Sequence, residues 1–222
     1  MIFELEGGQV SFPHPKYAED DGLLAVGGDL TPRRLLTAYK HGIFPWYAED
    51  SPILWYAPHN RFVLHPNQLK VSKSMKKVLS MGLFNFTYNT VFEEVITNCS
   101  NIDRKDQDGT WIVADMRKAY TELHHLGFVH SIEVWKDEEL VGGLYGVLVG
   151  GVFCGESMFA KVSNASKAAL VFLIQNFGLE LIDCQVYTSH LESMGAIYMP
   201  QQQYLDILQQ QHMKPNGLQI IF

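Results

Sequence analysis

Three polar side chains on two predicted strands could carry out chemistry. Glu156 lies where the second strand of a predicted hairpin leaves its sheet, and Asp183 and Gln185 stand two residues apart on a strand predicted for residues 180–187. Carboxylates can hold a cation or accept a proton, but they are costly to bury unless they are paired. The pattern therefore fits either a polar site in an apolar sheet or a structural hydrogen-bonded pair. For Glu156 alone, an ordinary hairpin with its carboxylate in solvent is a third explanation.

Sequence motifs for several other chemistries are absent. The chain has no H-E-x-x-H or C-x-x-C for a metal, no glycine-rich phosphate loop of either common type, and no G-x-S-x-G around a serine nucleophile. His124 and His125 are adjacent on a predicted helix, so they face different directions rather than one ion. Cys184 could be a covalent nucleophile, although a lone strand cysteine is usually structural. We therefore expect no metal and no cofactor.

Regular elements that could position these residues begin at Arg61, whereas residues 1–60 are rich in proline, glycine and aromatic residues and show little strand alternation. The pattern predicts helices near 31–42, 72–81, 89–100, 111–127, 166–177, 190–194 and 201–211, and strands near 62–66, 128–135, 142–149, 152–158, 180–187, 196–199 and 217–222. Helices, a three-strand meander and then alternating helices and strands indicate an α+β fold with a mixed, largely antiparallel sheet.

Local signals mark some ends of these elements. Thr31 precedes Pro32 and is placed to cap the first helix, and Thr90 with Glu93 has the spacing of a capping box. Glycines at 150–151 predict a tight turn between the two strands that lead to Glu156.

Composition and charge are typical of a globular protein. The 222 residues are 47% hydrophobic and 18% charged, and the net charge of −7 argues against general coating of nucleic acid. No apolar run reaches the ~18 residues that a transmembrane helix needs, and the N-terminus lacks the pattern of a secretory signal. Cys99, Cys154 and Cys184 leave one cysteine unpaired in any disulfide scheme. We therefore expect a cytoplasmic protein.

Basic residues are nevertheless grouped in two places. The groups are Lys70, Lys73, Lys76 and Lys77, at near-helical spacing, and Lys16, Arg33, Arg34 and Lys40. Such runs are usually solvated helix faces, so a polyanionic partner needs further support.

Large aromatic rings are concentrated in a segment that is broken by prolines. The rings are Phe44, Trp46, Tyr47, Trp55 and Tyr56. A loop carries so many rings when they pack on a neighbouring domain or bind a flat group, and packing is the simpler explanation for most of them.

Short motifs recur in a specific order along almost the whole chain. They are GLLAVGGDL (22–30), AYKHGIFPW (38–46), W-x-x-P-x-x-R (55–61), GTWI (109–112), HSIEVW (130–135), GGLYGV (142–147), GESMF (155–159), NASKAAL (164–170), LIDCQV (181–186) and SMGA (193–196). Each motif is weak alone, but the combination is specific. With these motifs the sequence resembles the leucyl/phenylalanyl-tRNA–protein transferase family.

This resemblance implies a small N-terminal domain at 1–60 and a larger acetyltransferase-like (GNAT) domain at 61–222. It also implies a monomeric enzyme, without a cofactor or membrane partner, that transfers leucine, phenylalanine or methionine from aminoacyl-tRNA to proteins with N-terminal Arg or Lys. Such transfer marks those proteins for degradation. The alternatives are a GNAT acyltransferase that uses an acyl-coenzyme A and a non-catalytic RNA-binding module. The segment AKVSNASK (160–167) lacks the glycine pattern of a pyrophosphate loop, which disfavours the coenzyme.

The resemblance assigns residues to the donor substrate. Trp46 and Trp111 would flank the 3′-terminal adenosine, with Tyr39 and Tyr120 nearby. The aminoacyl side chain would enter an apolar pocket built from Leu144, Phe153, Leu170, Leu173 and Ile182. Alternation places Ile182 and Asp183 on opposite faces of a regular strand, so either this strand bulges or the pocket wraps around its end.

The resemblance also suggests roles in catalysis and tRNA binding. The carbonyl oxygen of Gln185 would orient the attacking amine, Asp183 would polarise it or take the proton, and Glu156 would hold the cationic residue of the acceptor. The expected contacts with the tRNA backbone are Arg33, Arg34, Lys40, Lys70, Lys73, Lys76 and Lys77. Glutamines at 201–203 replace an expected arginine pair, so a tRNA contact there is not expected.

Overall fold

Two β-sheets and seven α-helices make up the described part of the chain, which in this computed structural model is residues 1–8, 10–101 and 112–211. The strands are β1 (Phe3–Leu5), β2 (Leu23–Gly27), β3 (Phe44–Pro45), β4 (Leu54–Tyr56), β5 (Asn60–Leu64), β6 (Asn85–Tyr88), β7 (Val129–Lys136), β8 (Glu139–Val149), β9 (Val152–Ala160), β10 (Leu181–Gln185) and β11 (Ile197–Pro200). The helices are α1 (Pro32–Lys40), α2 (Lys73–Ser80), α3 (Phe92–Ser100), α4 (Ala114–His125), α5 (Ala165–Asn176), α6 (Ser189–Ser193) and α7 (Gln201–Gln211). The predicted α+β class is confirmed.

The larger sheet has seven strands in the order β11-β5-β10-β9-β8-β7-β6. Its neighbouring strands are antiparallel except for β9 and β10, which are parallel. The predicted meander is therefore present as β7-β8-β9. Gly150, at a φ of +57°, forms the predicted turn between β8 and β9, where a Cβ would lie 2.2 Å from the backbone oxygen of Gln211. Glycine avoids both the strain and this clash.

Helices cover both faces of the larger sheet. On one face, α5 packs its buried leucine and alanine side chains against apolar residues of β7, β8 and β9. On the other face, α3 and α4 pack together with α1 and the smaller sheet. A Cβ on Gly142 of β8 would lie 2.5 Å from the Cβ of Ala165, so glycine is required for this close approach of strand and helix. The two layers of helices bury the central strands from both sides.

The smaller sheet has the order β1-β2-β4-β3 and was not predicted. Its strands have only two to five residues, which is too short for period-2 alternation to be recognised. Trp55 is fully buried in this sheet and donates its indole N–H to the Gly27 carbonyl at 2.9 Å. Most of the aromatic rings in this segment therefore pack, as predicted.

The ends of two helices differ from the prediction. Thr31 does not cap α1 with its side chain; its hydroxyl donates to Asp29 Oδ1 at 2.6 Å. The capping box at Thr90 is also wrong, since Thr90 donates to the Tyr88 carbonyl and α3 begins at Phe92 without a side-chain cap. Both hydroxyls bond to a neighbour two residues before them instead of an N–H in the following turn.

Two predictions concern residues outside the described ranges. The helix expected from residue 111 is α4, which begins at Ala114, while Trp111 itself lies outside. The strand predicted at 217–222 lies outside as well. Within the described residues, no helix has the length and apolar character that a membrane span requires.

Candidate active site

A gap between β9 and β10 organises the site. The two strands pair only where Leu181–Asp183 meets Val152–Cys154. Beyond this point β10 has an irregularity between Asp183 and Gln185, and Gln185 has a φ of +61°. This left-handed conformation is unfavourable for a residue with a side chain and persists only where the surroundings impose it. Of the two alternatives that the sequence left open, a bulged strand fits this irregularity, and residues from both faces of β10 border one cavity.

Glu156 and Gln185 meet across this gap. Gln185 Nε2 donates to Glu156 Oε1 at 2.7 Å, and the Tyr120 hydroxyl donates to Glu156 Oε2 at 3.0 Å. Tyr39 continues the chain of hydrogen bonds, with 2.5 Å between its hydroxyl and that of Tyr120. Glu156 is 7% exposed. Burial raises the pKa of Glu156 to about 7, although the hydrogen bonds from both tyrosines and Gln185 oppose the shift.

Asp183 is held from several directions at once. Arg61 donates to it through Nε and Nη2, at 2.8 and 2.7 Å, and the Tyr204 hydroxyl donates to Oδ2 at 2.7 Å. The backbone N–H of Gln185 donates to Oδ1 at 2.8 Å. Arg61 and Asp183 are 1% and 0% exposed. Both oxygens of this carboxylate are therefore occupied by hydrogen-bond donors, and one of these donors is the backbone N–H of Gln185.

An apolar cavity of about 750 Å³ opens beside these residues. Four of the five predicted pocket residues line it, namely Leu144, Phe153, Leu170 and Ile182. Leu173 does not line it, and the prediction for this residue is wrong. Leu173 is completely buried one helical turn along α5 from Leu170, in the core between this helix and the sheet. Periodicity identified the apolar face of α5 but not which part of that face borders the cavity.

Of the predicted adenosine-binding residues that the structure describes, one lines the cavity and two are buried away from it. Trp46, just after β3, is half-buried and lines the cavity. Tyr39 and Tyr120 do not line it; they are 1% and 0% exposed and support Glu156 from behind. The predicted place of these two tyrosines beside the adenosine is therefore corrected, since no ring face is open to a base. Trp111 lies outside the described residues.

Several cavity residues were not found by sequence reasoning. Met158 lies on β9 two residues after Glu156, and Tyr187, His190 and Leu191 lie on α6 or just before it. His190 Nε2 is buried without a hydrogen-bond partner among the described residues, and burial together with Lys167 lowers the pKa of this imidazole. The sequence did offer one indication of the residues on α6, because this helix directly follows the strand that carries Gln185.

Cys184 also borders the cavity, but its environment argues against covalent catalysis. Burial and the charge of Asp183 raise the pKa of the Cys184 thiol above its usual value. The thiolate is the nucleophilic form, so a raised pKa makes the side chain unreactive near neutral pH. Among the described residues, no group of three or more His, Cys, Asp or Glu side chains could hold a metal ion.

The predicted basic residues are mostly exposed. Lys70 and the three lysines of α2 are exposed, as are Arg33 and Lys40 of α1. Arg34 is corrected: it is 1% exposed, and its guanidinium donates to the Glu6 carbonyl at 2.7 Å and to Asp29 Oδ2 at 3.2 Å. Its side chain is committed to the fold and is not available to a phosphate.

Comparisons with known proteins agree over nearly the whole chain. A family model described as leucyl/phenylalanyl-tRNA protein transferase matches residues 63–209, and a model of that family's N-terminal domain matches residues 28–59. Proteins named leucyl/phenylalanyl-tRNA–protein transferase are similar to this chain. One from Flavobacterium johnsoniae is 54% identical and covers 89% of this chain and 94% of its own, and one from Syntrophus aciditrophicus is 50% identical and covers 94% and 89%.

Likeness to solved structures is much weaker. A GCN5-related N-acetyltransferase from Kribbella flavida covers 77% of this chain and 61% of its own, with a TM-score of 0.35 and 10% identity. This similarity is too low to establish a shared fold by itself. The family models and the close relatives are decisive, and the chain belongs to the leucyl/phenylalanyl-tRNA–protein transferase family.

Proposed function

We propose that this chain transfers leucine, phenylalanine or methionine from aminoacyl-tRNA to the α-amine of proteins that begin with Arg or Lys. The observation that carries the proposal is the Glu156–Gln185 hydrogen bond at the edge of a 750 Å³ apolar cavity. The arrangement offers a carboxylate for a cation, an amide for an amine and an apolar space for a side chain. The aminoacyl ester is already activated, so the reaction requires neither ATP nor a metal ion for activation.

The amide of Gln185 can orient the attacking amine. Its Nε2 donates to Glu156 and the residue lines the cavity, and we propose that its carbonyl oxygen accepts an N–H from the uncharged α-amine. An amide is not basic, so Gln185 aligns the amine and does not take its proton. As the new C–N bond forms, the ester C–O bond breaks, and the released ribose oxygen takes up that proton as a hydroxyl group. Alignment of this kind converts a bimolecular step into an effectively unimolecular one.

The apolar cavity suits the side chain of the donor amino acid. Leu144, Phe153, Leu170 and Ile182 offer no hydrogen-bonding side chains, and Met158 adds a flexible wall. Leucine, phenylalanine and methionine can fill such a space, whereas the β-branched side chains of isoleucine and valine have to be excluded by shape. One methyl group is worth about 1–3 kcal/mol, so we expect graded selectivity.

Replacing Trp46 by alanine should weaken binding of aminoacyl-tRNA. The indole lines the cavity, and stacking of a base on an aromatic ring is worth about 1–3 kcal/mol, which corresponds to roughly a 5- to 150-fold rise in Kd. Titration of fluorescent aminoacyl-tRNA measures the change. Trp46→Phe is the matched variant and should retain much of the affinity; an unchanged Kd in Trp46→Ala would remove Trp46 from the donor site.

The exposed lysines around α2 are proposed to contact the tRNA backbone, with Arg33 and Lys40 as further contacts. Replacing both Lys76 and Lys77 by glutamate should weaken tRNA binding and reduce the slope of log K against log salt by about one for each phosphate that is no longer neutralised. Lys118→Glu is the control, because Lys118 is exposed on α4, which packs on the opposite face of the larger sheet from α2. Equal slopes in the double variant and the wild type would contradict this surface.

Label transfer tests the proposed function directly. Leu-, Phe- and Ile-tRNA carrying labelled amino acids are each mixed with a peptide that begins with Arg and with the same peptide acetylated at its N-terminus. The expected result is transfer of Leu and Phe, little transfer of Ile, and none to the acetylated peptide. Absence of any transfer would favour an RNA-binding module. The acyl-coenzyme A alternative is not favoured, because the family shown by the comparisons is named for tRNA-dependent transfer.

The domain division, oligomeric state and location remain predictions. Support for domains at 1–60 and 61–222 comes from the change of sheet between β4 and β5, and from the separate family models at 28–59 and 63–209. A monomer in the cytoplasm fits the negative net charge and the sparse cysteines.

A further inference from the structure

A buried arginine on β5 forms an ion pair with Asp183 of β10, the strand that carries Gln185. Arg61 is the second residue of β5, the strand next to β10, and it does not line the cavity. Its guanidinium is 1% exposed and makes a two-point contact with Asp183, through Nε at 2.8 Å and Nη2 at 2.7 Å. The charge of Asp183 raises the pKa of Arg61 even though burial lowers it. The pair is therefore ionised and fixed in orientation.

Three segments of the chain meet at this guanidinium. Its central carbon lies 4.5 Å from the centre of the Phe44 ring in β3 and 4.9 Å from the centre of the Tyr204 ring in α7. Tyr204 also donates its hydroxyl to Asp183 Oδ2. Phe44 belongs to the segment that carries Trp46 into the cavity. Arg61 thus contacts the segment that carries Trp46, the residue proposed to bind the aminoacyl-tRNA. It also holds β10, the strand that carries Gln185.

The held carboxylate in turn controls Gln185. Asp183 Oδ1 accepts both Arg61 Nε and the backbone N–H of Gln185. This second bond helps to hold Gln185 at its φ of +61°, from which the side-chain amide reaches Glu156 at 2.7 Å. If the carboxylate turned, Gln185 could relax to an ordinary strand conformation and its amide would leave Glu156.

We propose that Arg61 and Tyr204 are positioning residues for aminoacyl transfer, which act through Asp183 to hold the Gln185 amide in the orientation that aligns the attacking amine. The inference rests on the proposed role of Gln185. It assigns Asp183 to orientation rather than to proton transfer, because the positive charge of Arg61 stabilises the ionised carboxylate and opposes its protonation.

Kinetics of Arg61→Lys test the proposal. Lysine keeps the charge but cannot make the two-point contact, so kcat should fall by about 10- to 100-fold, since a misplacement of about 1 Å can cost that much. Both KM values should stay near those of the wild type. Arg34→Lys is the matched control. Arg34 is equally buried and pairs with Asp29, but it neither lines the cavity nor belongs to the exposed basic surface. This variant should therefore be less stable than the wild type but keep its kcat.

Tyr204→Phe provides a milder variant if Arg61→Lys fails to fold. It removes one donor to Oδ2 and keeps the ring against Arg61, so kcat should fall by about 2- to 10-fold at unchanged KM. An unchanged kcat in either folded variant, or an equal loss of kcat in Arg34→Lys, overturns the proposal.

Hydrogen exchange separates this inference from the proposed function. In Arg61→Lys, amide exchange over residues 183–187 should accelerate relative to the wild type, while Arg34→Lys should leave that segment unchanged. This measurement requires no substrate. Faster exchange with no transfer even by the wild type would refute the proposed function and keep the positioning network, whereas unchanged exchange in Arg61→Lys would refute the network itself.

Discussion

Asp183→Ala is expected to destabilise the fold by about 3–5 kcal/mol, because it leaves the guanidinium of Arg61 buried without its counter-charge. The hydroxyl of Tyr204 and the backbone N–H of Gln185 lose an acceptor as well. Urea unfolding followed by circular dichroism measures the change in the free energy of unfolding. Transfer should also be lost, so low activity in this variant alone does not identify a base.

Gln185→Ala is the companion variant that separates chemistry from stability. It removes the amide from Glu156 but keeps Arg61 and Asp183 paired, and the midpoint of urea unfolding should move far less than in Asp183→Ala. We expect kcat to fall while the Kd for aminoacyl-tRNA stays near that of the wild type. Near-normal turnover in Gln185→Ala would refute its proposed role, and a wild-type unfolding midpoint in Asp183→Ala would refute the account of the buried pair.

The sequence predicted the polar residues that border the cavity better than it predicted the buried residues that hold them in place. Glu156 and Gln185 were predicted on two strands as parts of one polar site, and they are hydrogen-bonded to each other. The conflict between Ile182 and Asp183 on one regular strand left a bulge and a pocket around the strand end as alternatives, and β10 has a register irregularity between Asp183 and Gln185. The partner of Asp183 could not be inferred in the same way, since Arg61 lies 122 residues away in sequence and local patterns contain no information on such a contact.

Burial was the other property that the sequence did not reveal. Arg34 and Lys40 belong to the same basic group on α1, but Arg34 turns inward to Asp29 while Lys40 is exposed. Tyr39 and Tyr120 are amphipathic and fit either a base-stacking surface or a core. Their hydroxyls bond to each other and to Glu156, and this buried chain is decided by how α1, α4 and β9 pack together.

Glu156 is expected to make recognition of the acceptor depend on pH. With a pKa of about 7, its carboxyl group is neutral in acid and charged above neutrality. Only the charged form attracts a cationic N-terminal residue, so KM for an Arg-initiated peptide should fall as pH rises through about 7. Glu156→Gln should abolish this dependence and raise the acceptor KM by about 30-fold or more, which corresponds to about 2 kcal/mol for the removal of one member of a buried charge pair. The KM for aminoacyl-tRNA should change little.

The same carboxyl group should affect stability in the opposite direction. Its pKa is raised from 4.5 in the unfolded chain to about 7 in the fold, so between these values the unfolded chain releases the proton first. Stability should therefore fall as pH rises from about 4.5 to 7, by about 3 kcal/mol. Glu156→Gln should remove that loss and be more stable than the wild type at pH 8.

A variant that gains stability and loses affinity for Arg-initiated peptides cannot owe its defect to misfolding. A peptide that begins with an uncharged residue is the control, because its poor transfer should not worsen in Glu156→Gln. An equal rise of KM for aminoacyl-tRNA and for the peptide, or an equal loss of transfer to both peptides, would contradict this role. Glu156 would then be a structural residue that does not contact the cationic N-terminal residue of the acceptor.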